Sequence, residues 1–112
     1  MDDSATIGSV KEKIKEFCDE RDWDQYHNAK DLAIGVITEA AELLEHFRFK
    51  STDEAVEILS EDKSREEVSD EMADIVIFLF RLAEKYGIDI SDSVESKLKK
   101  NAEKYPARKS VG

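Results

Sequence analysis

The stretch TEAAELLEHF (Thr38–Phe47) sets Glu39 and Glu42 three residues apart inside an otherwise apolar run. SDEMADIVIFLF (Ser69–Phe80) does the same with Glu71 and Asp74. Residues three apart share one face of an α-helix. The first pair is then flanked by Val36, Ile37, Ala40 and Leu43, and the second by Met72, Ile75, Val76 and Leu79. If both helices face a common core, four carboxylates converge there. Confined anions repel strongly unless protons or cations neutralise them. Hard oxygen ligands in this number favour Mg²⁺, with Mn²⁺ as a substitute, over Zn²⁺. The plainer alternative is four solvated acids bordering an apolar stripe, in a chain where 27 of 112 residues are Asp or Glu. Two pairs of identical spacing on the two most apolar segments favour the cation site.

Other chemistries find no support. A di-iron carboxylate bundle needs Glu-x-x-His on its helices, but His46 lies four after Glu42 and one after Glu45, and His27 falls in a loop. The zincin HExxH pattern is absent. No glycine-rich loop offers a nest of backbone N–H groups, so any phosphate must be held by cations and side chains. The single cysteine, Cys18, cannot form an intrachain disulfide and reads as a buried or interfacial thiol.

The elements that must position the acids read as helices. One proline and four glycines occur, and alternating strand patterns are nearly absent. The first helix spans roughly Ile7–Arg21, with Ile7, Val10, Ile14 and Phe17 on one stripe. DERDWDQYHNAKD then reads as a loop. The second helix spans roughly Ala29–Arg48, with Leu32, Val36, Ala40, Leu43 and Phe47 apolar. Ser51 and Glu54 form a candidate capping box for a short helix near Thr52–Leu59, followed by a Ser/Asp/Lys loop. The next main helix spans roughly Ser64–Tyr86, with Ser64 and Glu67 as a second capping box and Gly87 as its stop. The last spans roughly Ser91–Lys104, with Val94 and Leu98 inward, and stops before Pro106. The expectation is a single all-α domain over residues 1–112, a bundle of four main helices with its core at about 7–106 and a mobile tail at 107–112.

Length and charge bound the rest. A domain of 112 residues buries a core with little margin. A net charge of −10 argues against a nucleic-acid polymer as partner. No stretch is long and apolar enough to span a membrane, and the start lacks a basic segment leading into an apolar one. With the lone cysteine, this gives a cytoplasmic expectation.

The acids also carry a resemblance. ExxE, then about 28 residues, then ExxD resembles the signature of the MazG-like all-α nucleoside triphosphate pyrophosphohydrolases. FCDERDW followed by QYH, LAIGVITEAAELLEHFRFK, EEVSDEMADIVIFL and KLKKNAEKYP resemble, in the same order, the dCTP pyrophosphatase branch over roughly residues 10–107. The resemblance implies Mg²⁺-dependent hydrolysis of a nucleoside triphosphate to monophosphate and pyrophosphate, with dCTP or modified pyrimidine nucleotides as substrates and pool sanitation as the role. It implies that Glu39, Glu42, Glu71 and Asp74 hold the metal and form the catalytic centre. It places Trp23, His27, Phe49 and Phe78 at the nucleotide, with Phe49 standing where vertebrate members carry Trp. It places Asn101, Lys104 and Tyr105 at the phosphates, reached from a neighbouring subunit. It also implies a homodimer or homotetramer with helices packed across the interface. The competing reading is a non-catalytic nucleotide-binding or interaction module on the same fold. A phosphoribosyl-ATP pyrophosphohydrolase is a third, disfavoured by the Trp23–His27 segment.

Overall fold

The helix starts follow from local side-chain chemistry. In a computed structural model, which describes residues 1–107, α1 (Ile7–Glu20) begins where the Thr6 hydroxyl accepts from the Ser9 N–H and the Ser9 hydroxyl accepts from the Thr6 N–H, both at 3.0 Å. Asn28 accepts from the Asp31 N–H at 2.8 Å and starts α2 (Ala29–Glu45). The Ser51–Glu54 capping box starts α3 (Thr52–Ser60) as expected. Asp89 accepts from the Asp92 N–H at 2.8 Å at the head of α5 (Ile90–Lys104). Each such acceptor satisfies an amide that the helix cannot pair internally.

The longest helix, α4 (Asp62–Lys85), departs from the expected start. Its N-cap is Glu61, which makes no side-chain cap bond, so Ser64 and Glu67 are not a capping box. The Ser64 hydroxyl donates instead to the carbonyls of Ile58 and Glu61, and Arg65 Nη1 donates to the Leu59 carbonyl at 3.1 Å. These side chains satisfy the orphan carbonyls at the end of α3. The expected loop between α3 and α4 therefore shrinks to Glu61 alone. The C-terminal end follows expectation. Gly87 adopts φ +67°, the Ile88 N–H bonds the Ala83 carbonyl at 2.8 Å, and the Gly87 N–H bonds the Glu84 carbonyl at 3.4 Å, a Schellman stop.

α4 is the central element, packed chiefly against α2 and also against α1 and α3. No strand occurs among the described residues. The buried apolar set is Ile14, Cys18, Leu32, Val68 and Ala83, joined by the side chain of Arg81. Among the described residues, α5 makes no comparable packing contact. Val94 and Leu98, expected to face inward, are 50% and 61% exposed, because no other element among the described residues covers that face. Of the terminal segment 107–112, Ala107 is exposed outside any helix and the remainder lies outside the described residues.

Candidate active site

The α2–α4 pairing brings the acids together. One carboxylate oxygen from each of Glu39, Glu42 and Glu71 lies within 4.8 Å of the other two. Glu71 Oε2 is buried and has no hydrogen-bond partner. Partial burial, hydrogen bonds to Glu42 and Glu71, and the negative charge of Glu42 and Asp74 raise the Glu39 carboxyl to about 7. Asp74, one turn beyond Glu71, stands outside the close cluster but near enough for its charge to act on Glu39. An orphaned carboxylate oxygen among crowded carboxylates is the arrangement that a hard divalent cation would satisfy. The donor set therefore fits such an ion. The side chain of His46 adds one further polar neighbour, its Nε2 lying 3.8 Å from Glu71 Oε1. That proximity is between helices, so a test for Glu-x-x-His within one helix does not reveal it.

Beside the acids is a cavity of about 290 Å³. Phe17, Trp23, Leu32, Ile77 and Phe78 form its apolar walls, and Asp74, His27 and Arg81 supply its polar groups. Asp74 thus borders both the acidic cluster and the cavity. Trp23 meets Phe17 edge-on at 5.5 Å between ring centroids and His27 at 6.1 Å. Phe78 reaches this position because it lies against Gly35 of α2. A Cβ on Gly35 would come within 2.5 Å of the ring. Cys18 also lines the cavity, and burial pushes its thiol pKa up, so it is not an activated nucleophile.

The loop carrying Trp23 and His27 is tied to α4 by Arg81, which sequence reasoning missed. Its Nε donates to His27 Nδ1 at 3.1 Å, its Nη2 to Asp24 Oδ1 at 3.0 Å and its Nη1 to Glu84 Oε2 at 2.7 Å. Lys85 reinforces the tie, donating to the Asp24 carbonyl at 3.0 Å. Asp24 opens the short 3₁₀ turn Asp24–Tyr26 between Trp23 and His27. Lys85 and Arg81 hold the Asp24 carboxyl below the usual carboxylate range, with the hydrogen bond from Lys85 the largest cause. The available signal was a lone cation inside the most apolar stretch of the chain, IVIFLFRLA. An arginine there must find acceptors once buried.

The other proposed contact residues lie elsewhere. Phe49 follows α2 at φ +63°, is 90% exposed, and neighbours the Arg48 guanidinium rather than the cavity. Asn101, Lys104 and Tyr105 sit at the end of α5 and at its C-cap, and none of them lines the cavity or joins the acidic cluster. The Lys104 ammonium lies 5.3 Å from the Tyr105 ring centroid.

Comparison with known proteins places this geometry. Residues 34–112 match the MazG-like family. The chain is 33% identical over 107 residues to dCTP pyrophosphatase 1 of Rattus norvegicus, covering 96% of this chain and 63% of the relative. It is 31% identical over 102 residues to the Homo sapiens protein of that name, covering 91% of this chain and 60% of the relative. It therefore spans less than two thirds of the length of these relatives. A crystal structure of a pyrophosphatase from Archaeoglobus fulgidus superimposes with a TM-score of 0.84 at 37% identity, covering 90% of this chain and 93% of that one.

Proposed function

The chain belongs to the MazG-like family, and on that premise we propose that it is a nucleoside triphosphate pyrophosphohydrolase converting a (d)NTP and water to the (d)NMP and pyrophosphate. The observation that carries this reading is the juxtaposition of the Glu39–Glu42–Glu71 cluster with an apolar cavity, Asp74 standing between them. One part suits a polyanion with its cations, the other an aromatic base. A cavity of about 290 Å³ holds a nucleobase rather than a whole nucleotide, which leaves the triphosphate over the acids.

Glu39, Glu42, Glu71 and Asp74 would hold Mg²⁺. When bound, such an ion screens triphosphate charge and draws electron density from the phosphorus under attack. The residues of the chain do the rest. Trp23 and Phe78 offer flat faces to the base, and the apolar walls exclude water around it. A water oxygen forms the new bond to the α-phosphorus as the bond to the bridging oxygen breaks and pyrophosphate leaves. The proton from that water passes to the carboxylate cluster, which titrates as a unit. Relatives named for dCTP make that nucleotide the first substrate to try, with modified pyrimidine nucleotides next and clearance of such nucleotides from the cytoplasmic pool as the role. Phe49 would stack on the base once a ligand or a second copy is present. Asn101, Lys104 and Tyr105 would meet the phosphates from a second copy of the chain, in a homodimer or homotetramer.

The experiment is pyrophosphate release from a panel of ribo-, deoxy- and modified nucleoside triphosphates, with Mg²⁺ and with EDTA. Release that requires the metal and leaves a monophosphate is expected. Absence of release from every member would replace the enzyme with a binding module on the same fold.

A further inference from the structure

The buried guanidinium of Arg81 does more than neutralise two acids. An arginine offers only donors and cannot give up its proton at any ordinary pH. The Nε–H of Arg81 points at His27 Nδ1 from 3.1 Å, so Nδ1 must accept. A neutral imidazole that accepts at Nδ1 carries its hydrogen on Nε2. His27 is only partly exposed and lines the cavity, and its Nε2 makes no hydrogen bond among the described residues. Burial, with the positive charges of Arg81 and Lys85, lowers the His27 pKa and so favours the neutral ring.

Arg81 itself is held on three sides, by His27, Asp24 and Glu84, with its side chain 3% exposed. Its planar fork leaves little rotational freedom, so it fixes the ring plane of His27 as well as its tautomer. We propose that Arg81 is the positioning residue of the cavity, locking His27 as a fixed Nε2–H donor that reads a hydrogen-bond acceptor, a ring nitrogen or carbonyl oxygen, on the base of the substrate. The reading of a base rests on the function proposed above. The locking of the imidazole does not.

The test uses the full chain with ¹⁵N-labelled histidine, His27 being assigned by comparison with H27Q. The wild-type spectrum should show a protonated Nε2 and a bare Nδ1 at His27. In R81M that signature should give way to a mixture of tautomers. A wild-type His27 protonated at Nδ1, or one unchanged in R81M, overturns the locking. The wild-type measurement needs no variant to fold, and it is decisive even if no triphosphate is hydrolysed. The kinetic arm uses dCTP with Mg²⁺. R81M should raise KM about tenfold, the loss of one directed hydrogen bond, with kcat within about twofold. An unchanged KM overturns the reading of the base, as does a wild-type chain inactive on every triphosphate.

Discussion

Glu39 shows how the proposed cation site bears on a single side chain. Its carboxyl titrates at about 7 in the folded chain rather than at the ordinary 4.5. Between those values the folded state holds a proton that the unfolded state has lost, so stability falls as pH rises through that window. Above it the crowded cluster is fully charged and most costly. A divalent cation held by the cluster would reverse this by replacing the proton. Thermal melts should therefore show Mg²⁺ raising Tm more at about pH 8 than at about pH 5. Glu39→Gln removes the charge that the cluster resists. That variant should melt higher than wild type at alkaline pH without metal, with a flatter pH profile, while turnover falls by about a hundredfold or more. A variant that melts lower and keeps its turnover would refute the cation site. The spacing of the four acids was legible in the sequence because helical geometry alone puts residues three apart on one face. Arg81 was not legible as a functional residue. Its meaning depends on acceptors 54 and 57 residues away, which only the packed loop supplies.

At the scale of elements, the helices were legible where their signals are local. The Ser51–Glu54 box and the Gly87 stop need only neighbouring residues. Ser64 misled because its hydroxyl bonds back across the junction to α3, a contact that local pattern cannot distinguish from a cap. The α2–α4 pair turns on a similarly nonlocal detail. A glycine inside a helix ordinarily costs about 1 kcal/mol relative to alanine, so Gly35→Ala should stabilise α2 taken alone. Here the added Cβ would stand 2.5 Å from Phe78 Cδ1, far inside van der Waals contact. The ring must swing into the cavity or the helices must part. Gly35→Ala should therefore cost about 1–3 kcal/mol by denaturant unfolding. Phe78→Ala in the same chain should remove most of that penalty, giving a favourable coupling in a double-mutant cycle. Additive single effects would mean that the two helices are not held this close.

At the scale of the whole molecule, the single chain is extended, which suits the proposed self-association. Its radius of gyration is 17.4 Å, against about 13 Å for an ordinary domain of this length. α5 carries half or more of Val94 and Leu98 in solvent, and Ile37 of α2 is 69% exposed beside the acids. The sequence could not reveal that exposure, since helical periodicity marks an apolar face without saying what covers it. Lys104 sits on that projecting helix, away from the cluster it is proposed to serve. If α5 reaches the acids of a second copy, a working site combines Glu39 from one chain with Lys104 from another. Glu39→Gln and Lys104→Ala would each be inactive as pure proteins. Unfolded together and refolded, half of the dimers would be mixed, and each mixed dimer would hold one site with both defects and one with neither. Activity should return to roughly a quarter of wild type. Sites built within a single chain would each retain one defect in every pairing, and mixing would restore nothing.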